Sequence, residues 1–166
     1  MIRKILIIGT FALLGCKGNS QDNSKKADEK KETAKEFTVS KTEAEWRKEL
    51  SEMEFFILRE AGTENPFSSE LLDIKKKGTY VCAACKTPLF ESEHKFDSGT
   101  GWPSFDRAIE GNVAYDVDYK IGYKRTEEHC AVCGGHLGHV FEDGPKATTG
   151  KRHCINGAAL DFIPAE

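Results

Sequence analysis

The chain has 166 residues, a formal net charge of −3 and 39% hydrophobic residues, enough for one folded domain with a polar extension. So small a charge gives no electrostatic reason to expect nucleic acid as a partner, since a phosphate-binding chain normally shows a basic excess or a clustered Lys/Arg face.

The amino terminus, "MIRKILIIGTFALLGC", begins with Arg3 and Lys4 and continues in an apolar run from Ile5 to Leu14, too short to cross a bilayer as a helix. It reads as a secretory signal over residues 1–15. "LLGC" is similar to the bacterial lipoprotein signal motif, in which a small residue precedes the cysteine that is lipidated, here Cys16; the alternative is an ordinary signal in which Cys16 is incidental. Residues 17–36, "KGNSQDNSKKADEKKETAKE", carry no aromatic residue and no aliphatic one larger than alanine, so they cannot bury enough apolar surface to offset the entropy of ordering. Residues 16–40 are therefore expected to be a solvated tether, and residues 41–166 the folded domain. If Cys16 is lipidated, the protein is held at a membrane of the bacterial cell envelope by that anchor alone.

"TEAE" and "SEME" match the capping box, with Thr42 and Glu45 opening one short helix and Ser51 and Glu54 a second. Trp46 and Leu50 share a face of the first. Phe55, Phe56 and Leu58 give the second an apolar side, and Gly62 is placed to stop it. After Pro66 the texture changes to short β-rich stretches, "TYVC", "VAYDVDY" and "HCINGAALDFI", divided by glycine turns and prolines. The fold expected is mainly β, with helices at its front.

Two CxxC knuckles, Cys82 with Cys85 and Cys130 with Cys133, predict a tetrahedral four-cysteine zinc site that joins distant β segments. Four thiolates fill the shell, so the ion would be structural. Disulfides, redox CxxC motifs and a mixed cysteine–histidine site within "CAVCGGHLGH" are the alternatives. Cys154 is left over. On a strand, Arg152, Cys154 and Asn156 share one face while His153 and Ile155 take the other, which sets a guanidinium beside the sulfur and favours the thiolate. A buried, inert thiol is the competing reading.

Taken in order, "GTENPF", "SGTGWPSF", "HLGHVFEDGP" and "RHCINGAAL", with both CxxC pairs, resemble the methionine-R-sulfoxide reductase B family from about Thr42 to Ile163. The resemblance implies antiparallel β-sheets in the family's β-tent arrangement. It also implies reduction of methionine R-sulfoxide in proteins or free, with Cys154 as the nucleophile that becomes a sulfenic acid. His136 and His139 match active-site histidines, which a straight strand would turn to opposite faces unless Gly138 lets it bend. Asp143 would orient a histidine or a water, Asn156 would fix the substrate or the strand, and Trp102 would face the substrate methyl group. Thr100 stands where some members carry a resolving cysteine, so an external thioredoxin-like reductant is expected. Gly157 stands where serine is common. A monomer is expected. A non-catalytic zinc-stabilised binding module and a thiol peroxidase are the competing functions.

Overall fold

The computed structural model describes residues 36–166. The signal, Cys16 and most of the tether lie outside them. Contacts with the fold reach back past the boundary expected at residue 41: the Val39 N–H donates to the Val132 carbonyl at 2.9 Å, and the Phe37 ring meets His129 edge-on at 6.0 Å.

Both helices begin where the capping boxes put them, α1 at Glu43–Glu49 and α2 at Glu52–Glu60. In each the cap hydroxyl accepts from the third-residue N–H, and that glutamate accepts the cap N–H in return, satisfying two orphan donors. Helix α2 departs from expectation at two points. Its stop is made by Ala61 in the left-handed conformation (φ 51°); the N–H of Gly62 then closes on the Phe56 carbonyl at 2.9 Å. Phe56 is exposed, and Ile57 joins Phe55 and Leu58 in the core instead. Gly62 serves a packing need, because a Cβ there would meet the Phe56 ring at 2.3 Å.

The strands are β1 (Gly78–Cys82), β2 (Pro88–Glu91), β3 (Lys95–Phe96), β4 (Ser104–Phe105), β5 (Val113–Asp118), β6 (Arg125–Cys130), β7 (His136–Phe141), β8 (Arg152–Ile155) and β9 (Leu160–Pro164). They form a three-stranded sheet ordered β2-β1-β9 and a six-stranded sheet ordered β3-β4-β8-β7-β6-β5. All pairings among the described residues are antiparallel. The stretch "HCINGAALDFI" is therefore two strands in different sheets, joined by a single 3-10 turn over Gly157–Ala159.

The sheets meet over an aromatic core. Phe90 stacks on Phe105 at 4.4 Å and Tyr80 meets Phe105 edge-on at 4.9 Å. Leu89, Leu137, Ile155 and Ala159 fill the space around them without solvent exposure. Against this core pack Trp46, Phe55, Ile57 and Leu58 from the helices. With its inner face buried there, the six-stranded sheet has one face left for chemistry.

Candidate active site

Alternation along five paired strands gathers one set of polar residues on that other face. Cys154 on β8 is paired with Ser104 of β4 on one side and His139 of β7 on the other. His139 is paired with Glu127 of β6, and Asp118 of β5 with Arg125. Because paired residues project to the same side, these groups share a face, while His153 and Ile155 turn into the core. Arg152 and Cys154 are half-buried, as strand alternation requires.

His136 and His139 do reach the same side, although they are three residues apart. The register moves from Glu128↔Gly138 to His129↔His136, so Leu137 is the extra residue of a bulge that turns His136 over. The imidazole rings lie 5.5 Å apart, edge to face. Gly138 has a different duty from the bend expected of it. A Cβ there would sit 2.0 Å from the Cys154 carbonyl oxygen, so the missing side chain is what lets β8 approach β7.

Each histidine is oriented by a carboxylate. His136 Nδ1 lies 2.6 Å from Glu127 Oε1, and His139 Nε2 lies 2.7 Å from Asp118 Oδ2. A carboxylate only accepts, so the proton sits on the bonded nitrogen, and Nε2 of His136 and Nδ1 of His139 are the atoms left for proton exchange. Burial pushes the His139 pKa down against the pull of Asp118. The bond from His136 holds the Glu127 carboxyl below its usual value. Asp118 lies lower still, chiefly through the Lys120 N–H, with His139 and Arg125 adding to it.

Asp143, expected to orient a histidine or a water, instead receives both Nε and Nη2 of Arg152 at 2.9 Å in a two-pronged clamp. The guanidinium also stacks on Phe141 at 4.4 Å. Thus fixed, Arg152 lowers the Cys154 pKa, as does Thr100, whose Oγ1 is 3.9 Å from the sulfur. Burial outweighs both and leaves the thiol above its ordinary value. Asn156 is buried and spends both ends of its amide on backbone: Nδ2 donates to the Leu137 carbonyl at 2.9 Å and Oδ1 accepts from the Glu64 N–H at 3.1 Å. It fixes the end of β8. Trp102 is half-buried and donates Nε1–H to the Glu64 carbonyl at 3.2 Å. It also lines a groove of about 920 Å³ with Ser98, Ser104, Lys95 and Lys75–Lys77. Cys154 is not in the wall of that groove.

Sequence reading passed over Glu127, Asp118 and Glu64. Glu127 is half-buried in "RTEEHC" and Asp118 buried in "VAYDVD", while the neighbouring Asp116 is exposed, so a carboxylate on these strands is not by itself a mark of the site. Glu64 carried no signal of its own beyond its place in "GTENPF".

The four cysteines of the two knuckles come together with all sulfurs within 4.8 Å of one another. Cys82 and Cys133 are 3.7 Å apart, and Cys85 and Cys130 are 3.5 Å apart. A tetrahedral ion with Zn–S of about 2.3 Å sets sulfur–sulfur edges of about 3.8 Å, so the donors fit zinc. Each knuckle closes the same way: Lys86 N–H donates to the Cys82 carbonyl and Gly134 N–H to the Cys130 carbonyl, with Lys86 (φ 61°) and Gly134 (φ 70°) both left-handed. Cys82 ends β1 and Cys130 ends β6, so the ion ties one sheet to the other.

Residues 50–164 match the SelR domain family. The chain is 50% identical over 131 residues to the peptide methionine sulfoxide reductase MsrB of Alteromonas mediterranea, covering 78% of this chain and 92% of that protein. Identity to the protein of the same name from Bradyrhizobium diazoefficiens is 54% over 127 residues, covering 76% and 91%. To the chloroplastic peptide methionine sulfoxide reductase B1 of Arabidopsis thaliana it is 48% over 148 residues, covering 89% and 73%. With a half-buried thiol beside a clamped guanidinium and paired across the ladder with a carboxylate-held histidine, on a scaffold joined by a four-cysteine zinc site, and with these relatives, the chain belongs to the methionine sulfoxide reductase B family.

Proposed function

We propose that this enzyme reduces the R epimer of methionine sulfoxide, in proteins and free, through Cys154. The observation that carries the reading is the placement of Cys154 on the polar face beside Arg152 and His139, while the other four cysteines of the described residues are drawn into the zinc cluster. The Cys154 sulfur attacks the sulfoxide, the oxygen passes to it, and a thioether leaves. Thiol plus sulfoxide gives sulfenic acid plus methionine, with the thiol proton ending on the transferred oxygen. Arg152 favours the thiolate that starts the step. His136 or His139 lends the oxygen a proton as the sulfur–oxygen bond breaks, since an unprotonated oxide leaves poorly. The indole of Trp102 receives the methyl group on sulfur.

With Thr100 near the sulfur and no other uncommitted cysteine in the described residues, the sulfenic acid is reduced from outside. A thioredoxin-like dithiol returns it to thiol and water and leaves as a disulfide. We also assign the chain to the cell envelope as a monomer, lipidated at Cys16, with the polar stretch before Glu36 as its tether. Three experiments test these readings. Separated R and S epimers are assayed with a thioredoxin system, and the protein is analysed by mass spectrometry after one turnover without reductant. R-specific turnover and a single added oxygen on Cys154 are expected; an internal disulfide at Cys154 overturns the external-reductant route. Detergent partitioning of native protein against Cys16→Ala tests the anchor, and identical partitioning sinks it.

A further inference from the structure

Glu64 has no part in the chemistry above, yet it bonds both Trp102 and the residues that follow Cys154. Its carboxylate is buried, with the residue 7% exposed. Oε1 accepts the Gly157 N–H at 2.5 Å and Oε2 the Ala158 N–H at 3.0 Å. Its own N–H donates to Asn156 Oδ1 at 3.1 Å, and its carbonyl accepts the Trp102 indole N–H at 3.2 Å. One residue thus holds the indole and the chain that leaves Cys154 through four hydrogen bonds. The neighbouring contact is equally tight. Ser69 Oγ, which accepts from the Leu71 N–H, lies 1.9 Å from where a Cβ on residue 157 would be, so the strap from Gly62 to Ser69 seats itself against Gly157 because that residue has no side chain.

We propose that Glu64 is a positioning residue for sulfoxide reduction: it fixes the spacing between the Trp102 ring and Cys154, and through that spacing the preference for a methyl group on the sulfoxide sulfur. The inference rests on the reading of Trp102 as the methyl-facing surface. The chemistry of the carboxylate is what makes the position specific. Two acceptor oxygens match two adjacent N–H donors, and both bonds are charge-assisted. A glutamine offers one oxygen and one NH2, so one of the two N–H groups would face another donor. An aspartate keeps the charge and is one methylene short.

The test compares wild type, Glu64→Gln, Glu64→Asp and Trp102→Ala on the R-sulfoxides of methionine and of its S-ethyl analogue. Zinc content and thermal unfolding are measured in parallel. Glu64→Gln is expected to lower kcat/KM for the methyl substrate by about ten- to a hundredfold, the cost of a misplacement near 1 Å. Its methyl-over-ethyl ratio should fall toward that of Trp102→Ala, with Glu64→Asp between it and wild type. A purely structural role lowers the amount of active protein and leaves the ratio of two substrates untouched. A wild-type ratio in both Glu64 variants therefore overturns the proposal even if they are unstable. An unchanged ratio in Trp102→Ala overturns the reading of Trp102 and this inference with it, whereas a changed ratio there beside unchanged Glu64 variants sinks this inference alone.

Discussion

Cys154 is held by opposing forces, and their balance sets its reactivity. Burial raises the thiol pKa while Arg152 and Thr100 lower it, and burial wins. Less thiolate therefore stands at neutral pH than on a free cysteine, whose pKa is about 8.5. With zinc bound, the alkylation rate of Cys154 in the resting enzyme should climb with pH through an apparent pKa above that value. Arg152→Ala should push the midpoint higher still and slow alkylation at neutral pH; an unchanged profile would remove Arg152 from the reaction. Cys154→Ser should keep zinc content and folding while abolishing turnover. Asp118 makes the complementary case for a carboxylate. Its folded-state pKa is depressed, so the stability it contributes is fully present above the ordinary value of about 3.9 and drains away as pH falls through the depressed value. Thermal unfolding of Asp118→Asn against wild type should show a gap at neutral pH that closes in strong acid; a gap constant with pH would contradict this account.

At the scale of elements, the site depends on how closely β7 and β8 lie and on the bulge that turns His136. Gly138→Ala forces a methyl to within 2.0 Å of the Cys154 carbonyl, a backbone atom that cannot swing aside. The cost expected is about 1–3 kcal/mol, as for overpacking, together with loss of activity as Cys154 is displaced from His139. A calorimetric scan and an activity assay check both. The hairpin of β5 and β6 shows why alternation alone misleads. "VAYDVDY" reads as a strand, yet Tyr115 and Val117 are exposed while Asp118 is 7% exposed and faces the site. By pairing, Tyr115 and Val117 share the face of Glu128, which elsewhere packs into the core, while Asp116 and Asp118 share the polar face of Glu127 and Arg125, so it is the apolar side of this hairpin that is left in solvent.

Taken together, the described residues form two sheets tied at one end by the metal and packed on each other through Tyr80, Phe90 and Phe105, with the helices against them. Strand β6 delivers Cys130 to the ion and, three residues earlier, Glu127 to His136. Metal and chemistry thus share a strand. Cys130→Ser should lower zinc per chain and the midpoint of thermal unfolding, with activity falling as Glu127 loses its footing. Unchanged metal analysis would defeat the zinc assignment.

Local rules made several features readable before any fold was known. The two capping boxes specify helix starts through bonds that span three residues, and the CxxC spacing specifies thiolate pairs through one tight turn. Ordered motifs then pointed to the family and to Cys154. Other features are nonlocal and had no local signature. The splitting of "HCINGAALDFI" between two sheets, the clamp of Asp143 on Arg152 and the hold of Glu64 on Gly157 all join residues that only folding brings together. Sequence determined which groups could do chemistry; the register of one antiparallel sheet, with a single extra residue at Leu137, decided which of them meet, because a strand shows each face only at every second position.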